Sequence, residues 1–275
     1  MKSPKVSILM TIYNHQNYLK HSIKSIINQS HSNLELIAID NGSTDHSKKI
    51  LKDIKNKKIK KFFLKKNIGR TKCLNFGLKK CTGEFIAILD SDDASHKNRI
   101  LLQLKEFNQN KEIWMVATDF NYIDQSGKII MYPKQKFNLN KDLNLKPRFL
   151  LLSNPFVHSS MMYRSLLLKK IGNYPSSYIY SQDYAFYLKT FLKYKIKFLD
   201  KVLVDIRAPH KKSESVRILN SNLATIEHLK LLTWSIFKFN TSFEEKFLIL
   251  THIIIKIIKI CLPNSLINKR FKILN

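Results

Sequence analysis

The chain has 275 residues, 44% hydrophobic and 11% aromatic, and this composition excludes a disordered tail. Its 48 Lys and Arg against 20 Asp and Glu give a formal net charge of +28. Three explanations fit that charge: a nucleic-acid partner, an anionic membrane surface, or a general bias toward Lys at solvated positions. The three cysteines form no CxxC pair, which predicts reduced thiols in a cytosolic compartment.

Short apolar runs alternate with helical patterns through the first hundred residues. The predicted strands, in chain order, are "VSILMTIY" from residue 6, "LELIAID" from 34, "IKKFFL" from 59 and "EFIAIL" from 84. Helices are predicted between them, at "NYLKHSIKSIINQ" and "TKCLNFGLKK". This alternation predicts an α/β fold with a mostly parallel, doubly wound sheet. The first run is interpreted as a strand and not a signal peptide, because no small-residue cleavage site follows it.

The pattern loosens beyond residue 112. Strands are predicted at "IWMVATDFNYID", "KIIMY" and "FVHSSMMYR", then a helix at "QDYAFYLKTFLKY" and a bent strand or strand pair at "IKFLDKVLVDIR". From about residue 214 the sequence reads as helical throughout. We therefore predict a domain over residues 1–213 and a helical region over residues 214–275.

Polar residues follow the ends of three of the predicted strands. Asn14 follows the first strand, Asp40 ends the second, and Asp90, Asp92 and Asp93 follow the fourth. The carboxyl ends of parallel strands share one edge of the sheet, where ligands of such folds bind. Carboxylates set this close repel one another unless a cation lies between them. No GxGxxG occurs, so an ordinary nicotinamide or flavin domain is excluded.

Six segments follow one another in a specific order and spacing. They are "VSILMTIYN", "IAIDNGSTD", "NIGRTKCLNFGL", "GEFIAILDSDDASHKNRILLQ", "SQDYAFYLK" and "IRAPHKKSES". Together, from about residue 5 to 217, they resemble the family 2 glycosyltransferases, which are inverting enzymes with the fold called GT-A. The resemblance implies a Rossmann-like, mostly parallel sheet flanked by helices, with the C-terminal helices as an extension.

The acidic segment resembles the metal-binding DxD motif of that family. The resemblance implies Asp92 as the main metal ligand, Asp90 as a ribose or metal contact, and Asp93 as an alternative ligand. His210 would complete the metal shell. Mn²⁺ or Mg²⁺ suits oxygen ligands shared with substrate phosphates, and would stabilise the leaving diphosphate. The alternative is an acid-rich helix start that stabilises the helix dipole.

The resemblance also implies a set of residues that bind the nucleotide sugar. They are Thr11, Tyr13, Asn14, Asp40, Asn67, Gly69, Asn75, Asp90, Ser91 and Arg207. Asp40 could accept the imide hydrogen of uracil or thymine, although an acid before Asn-Gly is also a common turn former. The chain departs from many relatives at Thr11, at Asn41, where they carry Asp, and at Leu74, where they carry Arg. Arg70 or Lys72 could replace that arginine.

Asp183 is the predicted catalytic base, because the family's base is the last acid of a pair at a helix start. It would remove the proton of the acceptor hydroxyl on the side opposite the leaving nucleotide. Alternatively Asp183 only caps its helix. Gln182 stands where the pair has its first acid, and with His158 and Ser159 it is predicted to line the acceptor or donor-sugar pocket.

Residues 246–263, "KFLILTHIIIKIIKICLP", place His252, Lys256 and Lys259 on one narrow stripe of an otherwise apolar helix. At about 24 Å such a helix is too short and too charged for a comfortable bilayer crossing. It could lie in a membrane interface, helped by Lys269, Arg270 and Lys272, or pack on the catalytic domain or a second subunit.

These features predict an inverting, metal-dependent glycosyltransferase of the hexosyl or N-acetylhexosaminyl type. The donor would be a nucleotide sugar, UDP-linked by preference, and the acceptor a glycan or lipid-linked glycan of surface polysaccharide, lipopolysaccharide or capsule biosynthesis. We expect a cytoplasmic protein, peripheral on the inner face of the cytoplasmic membrane, with no nucleic-acid partner. The alternatives are a basic nucleic-acid binder, an inactive scaffold of the same fold, and a nucleotidyltransferase, which "IDNGSTD" does not suit.

Overall fold

The computed structural model describes residues 3–131, 151–152, 154–208 and 221–261. The chain divides into two compact units, one of Met1–Lys146 with Pro155–Ala208 and one of Pro147–Asn154 with Pro209–Asn275. The predicted boundary after residue 213 lies outside the described residues.

The first half of the larger unit alternates strands and helices as the sequence predicts. Its elements are β1 (Val6–Ile12), α1 (Leu19–Ile27), β2 (Leu34–Asp40), α2 (Ser47–Asp53), β3 (Ile59–Phe63), α3 (Arg70–Leu78) and β4 (Phe85–Ile88). The pairs β1–β2, β1–β4 and β2–β3 are all parallel. The carboxyl ends of these four strands therefore lie along the same edge of the sheet.

The second half of this unit extends the sheet with mixed pairing. Its elements are β5 (Ala94–Ser95), α4 (Arg99–Gln109), β6 (Ile113–Ile123), β7 (Ile129–Met131), β8 (Met162–Arg164), α5 (Leu167–Ile171), α6 (Gln182–Phe191) and β9 (Lys195–Arg207). The strand order is β3-β2-β1-β4-β8-β6-β9-β5, with β7 beside β6. The β6–β9 pair is parallel, whereas β8 is antiparallel to both β4 and β6.

Of two further predicted strands, one has one of its two predicted forms and the other takes a different form. The segment "IKFLDKVLVDIR" forms one strand, β9, whose pairing with β6 shifts register near Asp119. The segment "FVHSSMMYR" forms a 3₁₀ turn at His158–Ser160 and then the short strand β8. A register shift bends a strand, which lets β9 reach both β6 and β5.

Apolar side chains cover both faces of the parallel half of the sheet. Alternate residues of β1, such as Ile8 and Met10, belong to a buried cluster that includes residues of α1, α2 and α4. Leu9 points to the other face, where a Cβ built on Gly77 of α3 would lie 2.3 Å from its Cδ1. Burial of both faces explains why β1, β2 and β4 read as continuous apolar runs.

The described residues of the smaller unit include the helices α7 (Asn222–Lys238) and α8 (Phe243–Cys261), as the helical pattern of the sequence predicts. They pack on each other with Leu231, Leu232 and Ile249 buried. In the part of the chain that is described, no helix is both long enough and apolar enough to span a bilayer.

Candidate active site

The loops after β1, β2 and β4 are tied together at one edge of the sheet. Asn14 has a left-handed backbone, with φ of 57°, and its Oδ1 accepts a hydrogen bond of 2.9 Å from the Thr44 N–H. Nδ1 of His15 lies 2.7 Å from Oγ of Ser91. The predicted convergence of the strand-end residues is therefore visible as direct contacts between loops.

Asp40 ends β2 and is fully buried. Its Oδ2 accepts a hydrogen bond of 3.3 Å from the Ser43 N–H, while its buried Oδ1 has no hydrogen-bond partner among the described residues. A buried acceptor without a donor costs about 1–3 kcal/mol, so an oxygen left in this state suggests that a ligand supplies the donor. Thr11 lies on the neighbouring strand, one residue before the partner of Asp40 in the parallel register, and Tyr13 is exposed just beyond.

Asn41 and Asn67 join the β2 loop to the start of α3. Nδ2 of Asn41 donates to Oδ1 of Asn67 at 3.1 Å, and Oδ1 of Asn41 accepts from the Ile68 N–H at 3.1 Å. Gly69, with φ of 85°, precedes the first residue of α3. Asn41, which replaces the acid of many relatives, thus holds this loop through its amide.

Asn75 projects from α3 toward the loop before α6. Its Nδ2 donates a hydrogen bond of 2.8 Å to the carbonyl of Tyr174. The structure therefore places Asn75 as a support of that loop.

The carboxylate of Asp90 forms an ion pair with Arg70. Nη2 of Arg70 lies 2.9 Å from Oδ1 and 2.7 Å from Oδ2 of Asp90. Nδ1 of His158 lies 3.2 Å from the same guanidinium nitrogen and 3.6 Å from the carboxylate. Burial raises the pKa of Asp90, but Arg70 and His158 outweigh it and hold that pKa below its usual range. His158 contacts the Tyr174 hydroxyl through Nε2, at 3.1 Å.

Asp93 is buried and both of its oxygens accept hydrogen bonds. Oγ of Ser159 donates to Oδ2 at 2.5 Å, and the Arg207 N–H donates to Oδ1 at 2.9 Å. Burial, followed by the carboxylates of Asp92 and Asp90, raises the pKa of Asp93 well above its usual value. Ser159 also accepts a hydrogen bond of 3.0 Å from the Asp90 N–H, so it joins the two acids.

Arg207, at the end of β9, contacts the turn of residues 90–93, which we call the acidic turn. Its Nε donates to the Asp92 carbonyl at 3.0 Å, its Nη1 donates to the Asp124 carbonyl, and its guanidinium carbon lies 4.1 Å from the centre of the Tyr18 ring. These contacts fix the acidic turn from the side of β9. His210, the predicted metal ligand of the same segment, lies outside the described residues.

Asp92 is the acid of this turn that is open to solvent. Its side chain is 31% exposed, and Nδ1 of His15 lies 3.9 Å from its Oδ1. Neighbouring Ser91 is buried, and its carbonyl accepts from Oγ of Ser22 at 2.9 Å. Of the three acids, Asp92 is thus the one whose carboxylate neither Arg70 nor Ser159 engages.

The acidic turn suits a divalent ion that substrate oxygens help to hold. The mutual repulsion that raises the pKa of Asp93 is the kind that a nearby cation relieves. Within the described ranges, no group of three or more His, Cys, Asp or Glu residues is arranged to hold a metal. Oxygen ligands of which the protein supplies one or two are typical of Mg²⁺ and Mn²⁺ bound with phosphates. Asp92 meets that description.

Asp183 and Gln182 begin α6. Oδ1 of Asp183 accepts a hydrogen bond of 2.8 Å from the Tyr184 N–H, and its side chain is partly exposed. The Gln182 side chain is buried, with its amide 3.2 Å and 2.9 Å from the carbonyls of Tyr180 and Ile179 when its nitrogen faces them. Gln182 therefore supports the loop before the helix, while Asp183 lies at its open end.

Sequence analysis missed two residues that build this site. Arg99 is fully buried, and its Nη2 donates to the carbonyls of Ile88 and Met161 at 2.9 Å and 3.1 Å, which fixes the end of β4. Burial lowers the pKa of Arg99 to about 9, although Asp93 opposes the shift. The other is His15, and its position directly after Asn14 was the available signal.

The family model described as "Glycosyl transferase family 2" matches residues 7–172. An uncharacterized glycosyltransferase of Methanocaldococcus jannaschii is 31% identical over 235 residues, covering 84% of this chain and 80% of that protein. Another from Haemophilus influenzae is 32% identical over 248 residues and covers 90% of both.

Solved structures show the same fold. The S. aureus TarS 1-349 complex with UDP-GlcNAc has a TM-score of 0.67 at 23% identity, covering 92% of this chain and 72% of that one. The mannosyltransferase PcManGT of Pyrobaculum calidifontis, in complex with GDP-Man and Mn²⁺, has a TM-score of 0.66 at 15% identity, covering 92% and 69%. A longer TarS chain scores 0.69, and this chain spans 43% of its length.

The sheet and the solved structures similar to it show the GT-A fold, and this confirms the predicted fold class. Within that class, the chain belongs to glycosyl transferase family 2.

Proposed function

We propose that the protein is an inverting glycosyltransferase that transfers a sugar of the hexosyl or N-acetylhexosaminyl type from a UDP-sugar to a hydroxyl group. The acceptor is a glycan or lipid-linked glycan of surface polysaccharide, lipopolysaccharide or capsule biosynthesis. The observation that carries the proposal is the strand-end corner itself, where Asp40, Asp92 and the Arg70–Asp90 pair follow parallel strands of a family 2 fold.

The buried Oδ1 of Asp40 supports a uracil ring as the donor's base. Uracil carries an imide N–H, and an unpaired carboxylate oxygen is the acceptor that such a group needs. Thr11 comes from β1, which pairs with β2, and the loops after β1 and before α3 supply Tyr13, Asn14, Asn67 and Gly69. TarS, which has the same fold, is described in complexes with UDP and UDP-GlcNAc.

Asp92 is the proposed ligand of a divalent ion, Mn²⁺ or Mg²⁺. When bound, such an ion offsets the charge that develops on the leaving diphosphate. Asp90, held by Arg70, would contact the ribose, and Asp93 would fix the turn through Ser159 and Arg207. PcManGT, described with GDP-Man and Mn²⁺, shows that this fold can hold the metal with a nucleotide sugar.

Asp183 is the proposed catalytic base. A carboxylate at the open end of α6 can accept the proton of the acceptor hydroxyl as its oxygen attacks the anomeric carbon. Gln182 in place of an acid removes one like charge from beside Asp183. His158 and Ser159 brace the acidic turn behind the donor sugar.

Thermal unfolding with UDP, GDP or neither, each with and without Mn²⁺, tests the proposal. Binding to the folded state raises the unfolding temperature by mass action. We expect the largest rise with UDP and Mn²⁺ together, and we expect Asp92→Asn to remove the part that depends on Mn²⁺.

Asp40→Asn tests the proposed recognition of the uracil base. We expect its affinity for UDP to fall about tenfold, because a hydrogen bond to a charged acceptor is lost. Asp53→Asn, at an exposed acid of α2, is the control and should bind UDP as the parent does. A larger shift with GDP than with UDP, or unchanged UDP affinity of Asp40→Asn, would contradict the assignment.

A further inference from the structure

Helix α8 turns three of its polar residues, Glu245, His252 and Lys256, inward. Glu245, Ile249, His252, Ile253 and Lys256 are buried or half-buried, at spacings of four, three, one and three residues that define one face. Two helices of the smaller unit, α7 and α8, pack on each other, and this face is the covered one. A packed helix normally covers its apolar face, so this arrangement is the reverse of the usual one.

The outward face of α8 is largely apolar from Phe243 to Ile258. The exposed fractions are 85% for Phe243, 63% for Phe247, 49% for Leu250, 56% for Ile254 and 49% for Ile258. These residues recur at intervals of three and four, so they form one stripe on the side opposite Ile249. A continuous exposed stripe of large apolar side chains marks a surface that associates with something else.

The charge of this part of the chain selects the partner. From Phe243 to the last residue the sequence contains six Lys and Arg and two Glu, which gives this part a net charge of +4. Two copies meeting at this stripe would bring like charges together, on chains that each carry a formal net charge of +28. A lipid bilayer with anionic head groups is apolar inside and negatively charged at its surface. It therefore complements both the apolar stripe and the positive charge of this part of the chain.

We propose that the outward face of α8, from Phe243 to Ile258, docks on a lipid bilayer that contains anionic lipids. The helix, about 28 Å long, lies along the membrane plane with its phenylalanine and isoleucine side chains among the upper acyl chains. Exposed Lys246, near the start of the helix, contacts the head groups. The proposal does not depend on the chemistry of the active site, since it rests on residues of the smaller unit alone.

Flotation of the full chain with vesicles tests this surface. We expect binding to phosphatidylcholine vesicles that contain phosphatidylglycerol, weaker binding to phosphatidylcholine alone, and loss of the difference at high salt. The double variant Phe247→Ser with Ile254→Ser removes apolar area without adding charge. We expect its affinity for the anionic vesicles to fall at least about tenfold.

Leu101→Ser with Ile130→Ser is the matched control, because both residues are exposed apolar side chains of the larger unit. It should bind vesicles as the parent does, and UDP affinity should be unchanged in both double variants. Failure of the parent to float with anionic vesicles would overturn the proposal. Equal loss in both double variants would also overturn it. Light scattering gives a third test. If the parent is a dimer and the double variant Phe247→Ser with Ile254→Ser is a monomer, a second copy covers the stripe and the proposal is overturned.

Discussion

Three aspartates within four residues have three different environments. Asp90 is paired with Arg70, Asp93 is buried under Ser159 and the Arg207 N–H, and Asp92 faces solvent. Arg70 and His158 outweigh burial and move the pKa of Asp90 down, whereas burial and the carboxylates of Asp92 and Asp90 move that of Asp93 up, although both acids belong to one turn. Neighbouring acids in a sequence are therefore not interchangeable, and their substitution should affect different properties.

Asp183→Asn tests the proposed base at the level of a single residue. We expect kcat to fall at least about 100-fold, because a carboxamide cannot accept the proton of the attacking hydroxyl. UDP affinity, measured by calorimetry, should stay within about twofold, because the substitution leaves the nucleotide corner intact.

Asp200→Asn is the control for Asp183→Asn, since Asp200 is an exposed acid of β9. It should leave kcat unchanged. If Asp183→Asn turns over substrate at the rate of the parent, Asp183 is a helix-start residue and the base lies elsewhere.

At the level of elements, Glu35 ties the start of β2 to two neighbouring strands. Its Oε2 lies 2.9 Å from Nζ of Lys5, before β1, and 2.8 Å from Nζ of Lys60 in β3. Ser7 donates to Oε1 at 2.7 Å. Burial raises the pKa of Glu35, but these partners outweigh it and lower that pKa well below its usual value. This end of the sheet is opposite the active-site edge.

Glu35→Gln should lower the free energy of unfolding by about 2 kcal/mol at neutral pH, because two lysines lose their partner. A lowered native pKa contributes stability above the unfolded value, near 4.3, and loses it as the pH falls toward the native value. The difference between Glu35→Gln and the parent should therefore shrink at a pH of about 3. Urea unfolding at both pH values measures it.

Glu112→Gln is the control for Glu35→Gln, because the Glu112 side chain is 80% exposed and 3.8 Å from its lysine. It should change stability little at either pH. A Glu35→Gln difference that grows in acid would contradict the proposed ion pairs.

Gly42 closes the loop between β2 and α2 against the chain before α3. Its φ is +72°, and a Cβ there would lie 2.4 Å from the Lys66 carbonyl carbon. Gly42→Ala should cost about 2–4 kcal/mol in urea unfolding, from backbone strain and this clash together.

Gly127→Ala separates the effect of backbone strain from the effect of the clash. Gly127 has φ of +92° and nothing within 4 Å of a built Cβ, so only the strain should remain, at about 1 kcal/mol. If both variants lose the same stability, the close approach at Gly42 has no energetic effect.

For the whole molecule, the formal charge of +28 predicts attraction to any polyanion. Binding to a DNA duplex of random sequence should weaken at least about tenfold between ~50 and ~200 mM salt, because it depends on released counterions. UDP affinity should change far less over that range. Fluorescence anisotropy with labelled DNA measures the first and calorimetry the second. Salt-resistant or sequence-selective DNA binding would instead favour the nucleic-acid alternative.

Much of the architecture could be predicted because it depends on local patterns. Apolar runs between helical periods mark buried parallel strands, and the carboxyl ends of such strands must share an edge. The positions of Asn14, Asp40 and the acidic turn followed from this rule before any contact was known. Family membership likewise followed from motifs that lie in one order along the chain.

Contacts between distant residues could not be predicted in this way. Ser159 meets Asp93 across 66 positions and Arg207 meets Asp93 across 114, and no periodicity specifies either pair. For α8, the sequence by itself determined that His252 and Lys256 share a stripe. Only the tertiary structure decided that this stripe faces inward and that Phe247, Ile254 and Ile258 face outward, because the packed side of a helix is chosen by its neighbours and not by its own residues alone.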